Sequence, residues 1–293
     1  MKKIKSYKQF IKQAEEVFIT NTHGKHAQKP DDKQYITNTH GKHAQPKDEL
    51  HNPYYVKESI NNSWEEFSKE DDNEHHLGKN TGKSGSDHYS QIKRLEDSHP
   101  IEHTSGLQAI KKYTSDSTYL NNHLLEHHKA GTDPTEGPRA EGYKQHMHDL
   151  DNHAFTPAKH KVHSYSGVNF DIRTVDPVGK SKAGNNVYHQ PAYMSSSISK
   201  NVARSFAGID KHRNDNFSRN IIHWVHDKGH PISAIGSKSN FDNEHEVLVP
   251  RTNSTKEKYH IEHLGTTVHK PENSDSLIKV HHVRRIPESE IVK

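Results

Sequence analysis

The spacing of apolar residues predicts helices in the middle of the chain. Between positions 107 and 125 apolar side chains recur every three or four residues, which is typical of amphipathic helices. The polar residues 114–117 predict a break between two such helices. A third helix is predicted over residues 141–155, where Met147 and Leu150 would share one face.

After Pro157 the pattern changes to alternating or continuous apolar runs, which are typical of strands. One predicted helix interrupts these strands, with Val202, Ala203, Phe206 and Ala207 on its apolar side. Helices followed mainly by strands predict an α+β fold. The predicted strands contain the segments KVHSYSGV, AYMSSSI, NIIHWVH, PISAIG, EHEVLVP, YHIEHLG and LIKVHHVRRI.

The N-terminal third of the chain is polar and contains a near-identical repeat. FITNTHGKHAQ at residues 18–28 returns as YITNTHGKHAQ at residues 35–45, and two such polar copies are too few for a solenoid. A tandem duplication in a weakly structured arm and a docking arm both explain it. Residues 70–97 have almost no large apolar side chains, which predicts a flexible linker. We therefore expect a largely flexible region at 1–100, followed by a folded domain at 101–293.

Composition narrows the possible classes of protein. Only 28% of the 293 residues are hydrophobic, a low share for a globular domain. The 41 basic and 38 acidic residues give a net charge of +3, which singles out neither nucleic acid nor an anionic membrane. The absence of cysteine excludes disulfides, thiolate nucleophiles and cysteine-ligated zinc. No apolar run approaches the roughly 20 residues of a membrane-spanning helix, so we expect no membrane partner.

Two glutamates, Glu244 and Glu246, stand two residues apart before the apolar segment VLVP. In an extended segment their side chains would point to the same face. Like charges held together are unfavourable unless something cationic lies between them, and paired carboxylates serve the oxocarbenium-like transition states of sugar chemistry. A solvated strand edge is the plainer explanation of the same pattern.

Two upstream segments carry further candidate groups. The serine run at residues 195–197 lies between a predicted strand and a predicted helix, where hydroxyls cap the helix or orient a nearby carboxylate. Gly167 follows Tyr165 and Ser166 in another predicted strand. Its missing Cβ fits close approach by a ligand, and a bulge or a tight strand exit explains it equally well.

In this order and spacing, the three segments resemble the arginine-type mono-ADP-ribosyltransferases. That family carries an aromatic-Arg-Gly strand, a Ser-Thr-Ser strand and a Glu-x-Glu loop around two β-sheets with helices packed on them. The resemblance covers about residues 107–286 and is strongest to the Alt and Mod enzymes of T-even-type bacteriophages. The matching residues are Tyr165-Ser166-Gly167, Ser195-Ser196-Ser197 and Glu244-His245-Glu246.

The resemblance implies transfer of ADP-ribose from NAD to a host protein, on arginine, with release of nicotinamide and no need for a metal. It implies that Glu246 stabilises the oxocarbenium ion, Ser195 orients Glu246, and Glu244 activates the acceptor. Acceptors such as RNA polymerase or a translation component, in the host cytoplasm after delivery from a virion, fit this reading, and nucleic acid stays open. The residues implied to contact NAD are Tyr165, Ser166, Gly167, Ser196, Ser197 and Phe206.

One departure and one rival motif leave alternatives open. Ser166 replaces the arginine of the family and cannot supply a bidentate cationic fork, so another cation must serve, or the chain is a degenerate host-binding protein. The rival is an H-x-x-E-H motif formed by His123, Glu126 and His127, which is typical of zinc peptidases. With 29 histidines in the chain, a chance match to this motif is expected. The replacement cations nearest in sequence are Arg173, Lys180, Lys182 and Arg204.

Overall fold

The structure is a computed structural model, and part of the chain lies outside the described residues. The repeat at residues 18–28 and 35–45 is among these, so a weakly structured N-terminal arm stays a prediction. The described residues all belong to one unit, Val56–Lys293. They comprise residues 62–79, 88–138, 140–208, 219–239, 241, 244–254, 257–272 and 277–292.

The described helices precede most of the strands, as the hydrophobic pattern predicts. None of them is long and apolar enough to cross a membrane. In chain order they are α1 (Trp64–Lys69), α2 (Glu74–Leu77), α3 (Tyr89–Ser98), α4 (Thr104–Ala130), α5 (Glu141–His153) and α6 (Lys200–Phe206).

Helix α4 is kinked where the sequence predicts a break. Asp116 has a non-helical backbone (φ −147°, ψ 32°), within the polar residues 114–117, although the helix continues beyond it. Its apolar side packs against α5, which buries Met147 and Leu150 as predicted. Tyr193, Ile235 and Leu248 complete this core from the strand side. The two helices are therefore fixed against the strands that carry the serine run and Glu246.

The described strands form one hydrogen-bonded sheet of twelve strands. Its order is β12-β4-β5-β10-β11-β7-β3-β6-β9-β8-β2, and β1 pairs with β10. The α+β prediction is confirmed. The strands are β1 (Asn62–Ser63), β2 (Thr156–Pro157), β3 (Val162–Val168), β4 (Gly179–Ser181), β5 (Asn186–Tyr188), β6 (Met194–Ser197), β7 (Asn220–His226), β8 (Pro231–Ala234), β9 (Glu246–Val249), β10 (Tyr259–Lys270), β11 (Ile278–Pro287) and β12 (Ile291–Val292).

The two sheets expected from the resemblance are joined at a narrow point. Strands β3 and β6 pair at the single position Tyr165–Ser197, whereas β3 pairs with β7 along its whole length. On the other side of this joint, β6 pairs with β9 so that Ser197 lies opposite Glu246. The joint brings the Tyr-Ser-Gly strand, the serine strand and the glutamate strand together.

The prediction of a flexible linker across residues 70–97 is wrong for residues 74–77, which form α2, and for residues 89–97, which belong to α3. Ile92 and Leu95 of α3 are buried against β3, β8 and β9. The segment looked too polar to fold because it has few large apolar side chains. Even its charged Glu96 is buried, and it accepts hydrogen bonds from the backbone N–H and hydroxyl of Ser237. Described helices on both sides of residue 100 contribute to the cores, and the division of the chain at that position stays a prediction.

Candidate active site

Glu246 begins strand β9 and is buried, with 5% of its surface exposed. Burial disfavours the charged carboxylate and raises its pKa to about 7, and the negative charge of Glu244 adds to the rise. Hydrogen bonds from the Ser195 and Ser239 side chains oppose it by stabilising the carboxylate. Glu246 is therefore close to its titration midpoint at neutral pH.

Strand register explains how Ser195 reaches Glu246. Ser195 lies opposite Leu248 and Ser197 lies opposite Glu246 in the antiparallel β6–β9 pair. Alternate residues of a strand share a face, so Ser195 and Glu246 are diagonal neighbours on one side of the sheet. The structure thus places the predicted catalytic serine beside the predicted catalytic carboxylate.

Glu244 lies on a turn in front of β9, and not on the strand itself. His245 has a positive φ of 49°, so the two glutamates are not successive members of one extended face, and the extended-strand prediction is wrong in this respect. Hydrogen bonds hold the turn in place. The Ser197 hydroxyl donates to the Glu244 carbonyl (2.6 Å), and the Ile198 N–H donates to the His245 carbonyl (3.2 Å). Glu244 is half-buried, and burial raises its pKa as well.

The hydroxyls of Ser196 and Ser197 are bonded to the protein. Ser196 donates to the Val247 carbonyl (2.6 Å), and its oxygen lies 2.8 Å from the Ser164 hydroxyl. Ser197 holds the Glu244 turn and accepts a hydrogen bond from the Ser199 N–H (3.0 Å). Both hydroxyls therefore stabilise the backbone around the two glutamates. Direct contact of either serine with NAD stays a prediction.

Tyr165 is buried, with 1% exposed, on the face of β3 opposite to Ser166. Its ring stacks on His223 (4.7 Å between centroids), and its hydroxyl donates to Asp72. This position is inside a core, so the implied contact of Tyr165 with NAD stays a prediction.

The space left by Gly167 is filled by helix α6. A Cβ at this position would lie 2.1 Å from the Ala203 carbonyl oxygen and 2.4 Å from the Ala207 nitrogen. The glycine is needed for close packing of α6 against β3, and contact of Gly167 with NAD stays a prediction. Phe206, at the end of the same helix, is 61% exposed and therefore not on the apolar side that its spacing predicted.

Ser166 ties two strands of the site together. Its hydroxyl donates to the Ser195 carbonyl (2.8 Å) and accepts a hydrogen bond from the Trp224 indole N–H (2.9 Å). The residue that replaces the family arginine is therefore buried and fixes the backbone of Ser195.

The contacts that the structure shows for the four candidate replacement cations do not include Ser166. Arg173 pairs with Asp171 (2.8 Å), and Arg204 lies over the Trp64 ring (5.7 Å to the centroid). Lys180 and Lys182 are exposed at the end of the sheet that contains β4. None of these contacts places a cation beside Ser166. That one of the four takes over the role of the family arginine therefore stays a prediction.

Three residues of the site were missed by sequence reasoning. The Tyr113 side chain of α4 is hydrogen-bonded to that of Ser195, and the charge of Glu246 acts on its hydroxyl. Asn121 of α4 donates to Tyr113, and Ser239 contacts Glu246 directly. No local signal marks these residues, because Tyr113 fits an ordinary core position in an amphipathic helix.

The H-x-x-E-H motif gains no support as a zinc site. His123 is hydrogen-bonded to the Pro134 carbonyl (2.8 Å), and His127 to the Thr132 hydroxyl (2.8 Å). Among the described residues, a different group has the spacing of metal ligands. It lies partly exposed on α5 and consists of His148, Asp149 and His153, whose candidate ligand atoms are within 4.8 Å of one another.

The fold and the buried glutamate beside a serine strand define an enzyme of the ADP-ribosyltransferase class. The sequence model of the ADP-ribosyltransferase exoenzyme family matches residues 81–281, more than half of the chain, and the protein belongs to this family. It is a toxin-type mono-ADP-ribosyltransferase, and its substrate is NAD. No curated protein sequence matches the chain.

Solved structures of similar fold include several ADP-ribosyltransferases. The toxin Plx2a from Paenibacillus larvae is 16% identical, with 68% of this chain and 96% of that chain covered and a TM-score of 0.48. The ADP-ribosyltransferase Vis, solved with an inhibitor, is 16% identical over 80% of this chain and 90% of that chain, with a TM-score of 0.48. C3stau2 from S. aureus, solved with NAD, is 15% identical over 67% and 93%, with a TM-score of 0.45. The family assignment depends on the match to the family model.

Proposed function

We propose that this protein transfers ADP-ribose from NAD to an arginine side chain of a host protein and releases nicotinamide. The observation that carries the proposal is a pair of carboxylates in different environments. Glu246 is buried and hydrogen-bonded to Ser195, whereas Glu244 is half-buried on the turn that precedes it. Two carboxylates with separate surroundings are suited to two separate roles.

Glu246 acts on the sugar. As the bond between nicotinamide and ribose C1 breaks, the electron pair leaves with nicotinamide and positive charge develops on the ribose. The ionised carboxylate of Glu246 lies in a low-dielectric site, where it stabilises this charge more strongly than water would. Ser195 holds the carboxylate in place, so little reorganisation is required during the reaction.

Glu244 acts on the acceptor. A guanidinium has a pKa above about 12 and must lose a proton as its nitrogen attacks ribose C1. Burial raises the pKa of Glu244, which makes its carboxylate a stronger base for this proton. The reaction then yields ADP-ribosylated arginine, nicotinamide and one proton.

The resemblance to the phage enzymes Alt and Mod supports a host protein such as RNA polymerase or a translation component as the acceptor. It also supports action in the host cytoplasm after delivery from a virion. A degenerate host-binding protein is the second candidate, and Ser166 favours it, because both hydrogen bonds of its hydroxyl are made within the protein.

Incubation with labelled NAD and a bacterial cell extract distinguishes the two candidates. We expect discrete labelled proteins, and we expect competition by agmatine, a small acceptor with a free guanidinium. Labelling that agmatine does not reduce would contradict arginine as the acceptor. A complete absence of labelling and of NAD hydrolysis would favour the host-binding protein.

A further inference from the structure

The kinked helix α4 sends two polar side chains to the start of strand β6. Tyr113 and Asn121 lie on opposite sides of the kink at Asp116. In a straight helix, residues eight positions apart are separated by about 12 Å along the axis. Here the Asn121 amide donates both to the Tyr113 hydroxyl (3.1 Å) and to the Tyr193 carbonyl (3.1 Å).

Tyr193 is the last residue before β6, and both its backbone carbonyl and its side-chain hydroxyl are hydrogen-bonded. Its backbone carbonyl accepts from Asn121 and lies 3.4 Å from the Tyr113 hydroxyl. Its own hydroxyl donates to Asp151 of α5 (2.5 Å), and Arg251 pairs with the other oxygen of that carboxylate (2.5 Å). The strand that carries Ser195 therefore starts from a fixed point two residues upstream.

The Tyr113 hydroxyl also contacts Ser195 directly. A serine hydroxyl has one proton to donate and lone pairs to accept with, whereas an ionised carboxylate only accepts. When Ser195 donates its proton to Glu246, its oxygen still contacts the Tyr113 hydroxyl, whose own proton goes to the Tyr193 carbonyl. Contacts therefore lead from Asn121 through Tyr113 and Ser195 to Glu246.

We propose that Tyr113 and Asn121 are positioning residues that hold Ser195 in the orientation in which it donates to the Glu246 carboxylate. This inference depends on the proposed role of Glu246 and extends it to a helix outside the sheet. Neither residue touches the reacting atoms. Their effect passes through the serine hydroxyl and through the fixed start of β6.

Tyr113→Phe keeps the buried ring and removes the hydroxyl. Tyr113 bonds to neutral groups, so its loss should weaken the support of the carboxylate modestly and lower kcat for NAD hydrolysis by about threefold to tenfold. The KM for NAD should change less than twofold, since no contact with NAD is removed. The pH midpoint of kcat/KM should rise, because the Ser195 hydrogen bond favours the ionised form of Glu246 and keeps its pKa down. Asn121→Ala should act in the same direction with a smaller effect.

Tyr143→Phe is the matched control. Tyr143 packs on the same core from α5, with its ring stacked on His123, so its loss reports on packing alone. We expect this variant to keep the wild-type kcat and pH midpoint. Melting temperatures of all three variants show whether the fold is retained, and Asn121→Ala decides the matter if Tyr113→Phe fails to fold.

The outcomes separate this inference from the proposed function. If Glu246→Gln is inactive while folded Tyr113→Phe and Asn121→Ala keep the wild-type kcat and pH midpoint, the positioning role is wrong and the function of Glu246 stands. If Glu246→Gln hydrolyses NAD like the wild type, both are overturned. A lower kcat with a shifted midpoint in Tyr113→Phe, and no change in Tyr143→Phe, supports the inference.

Discussion

Burial shifts pKa values in opposite directions in two regions of this protein. Around Glu246, burial raises the pKa of a carboxylate to about 7. In the sheet formed by β3, β7, β11 and β10, burial lowers the pKa of His282 to about 3 and that of His269 to about 4. The physical cause is the same in both places, because a low-dielectric interior favours the neutral form of any titratable group.

The histidines of the second region form a hydrogen-bonded row. The row consists of His163, His223, His282 and His269, with Thr267 between the last two. Ring nitrogens of His163 and His223 lie 2.9 Å apart, and those of His223 and His282 lie 2.8 Å apart. The Thr267 hydroxyl bridges His282 (2.9 Å) and His269 (2.8 Å). A neutral imidazole has one donor and one acceptor, so these contacts form a consistent chain when every ring is neutral.

The charge of Lys200 opposes protonation of all four histidines of this row, and further charged groups act on His163. Asp72 favours protonation of His163, whereas Lys161 and Lys200 oppose it, and burial is the larger effect, so the pKa of His163 is lowered. His223 in the middle faces other rings and the stacked Tyr165. The comparison shows that burial of titratable groups has two different consequences in this protein. It keeps the Glu246 carboxyl, for which we propose a catalytic role, near its titration midpoint, and it makes the stability of the sheet depend on neutral histidines.

The largest expected effect is unfolding in acid. The folded pKa of each row histidine lies below the unfolded value of 6.5, so the unfolded state binds more protons as the pH falls below 6.5. Each such group costs about 1.4 kcal/mol per pH unit until its folded pKa is reached. Since domains are stable by about 5–15 kcal/mol, we expect cooperative loss of structure near about pH 5. Circular dichroism melting curves between pH 8 and pH 4 measure it.

A matched pair of variants tests whether the row causes this loss. His282→Gln removes a titrating group and keeps hydrogen-bonding atoms, so its melting temperature should fall less steeply with acid than that of the wild type. His75 is exposed on α2, and His75→Gln should leave the slope unchanged. Equal slopes in all three proteins would show that the row is not the acid-sensitive element.

For Glu246 we expect a smaller effect of pH on stability, with the opposite sign. The folded pKa of Glu246 lies above its unfolded value of 4.5, so its contribution to stability is present below pH 4.5 and is lost as the pH rises through about 7. Glu246→Gln removes the buried charge and should stabilise the protein by about 3 kcal/mol at pH 8, with little gain at pH 5. Chemical denaturation at both pH values measures this difference. A variant that is less stable than the wild type at pH 8 would contradict the account of the site.

The features of this structure that depend on local pattern could be predicted from the sequence. Period and alternation predicted the break near Asp116 and the helix-then-strand order, because these follow from which face of an element is apolar. It also singled out Ser195 and Glu246, which register brings together across β6 and β9. Spacing alone could not show that the chain turns at His245, since that turn depends on hydrogen bonds from a neighbouring strand.

Other features depended on contacts between distant segments. The strand pattern could not reveal that Tyr165 would face Asp72, or that α6 would fill the space beside Gly167. Helix α3 was missed because its segment has few large apolar side chains, and because a hydrogen-bond partner of its buried Glu96, Ser237, lies 141 positions away. Polarity predicts exposure only when a polar group has no partner in the fold.

The most direct test of the central claim compares two activities in two variants. NAD hydrolysis and transfer of ADP-ribose to agmatine are measured for the wild type, Glu246→Gln and Glu244→Gln. We expect Glu246→Gln to lose both activities, because the ribose cation is no longer stabilised. Glu244→Gln should keep hydrolysis and lose transfer, because only the acceptor loses its base. Hydrolysis by Glu246→Gln at the wild-type rate would contradict the assignment of the two glutamates.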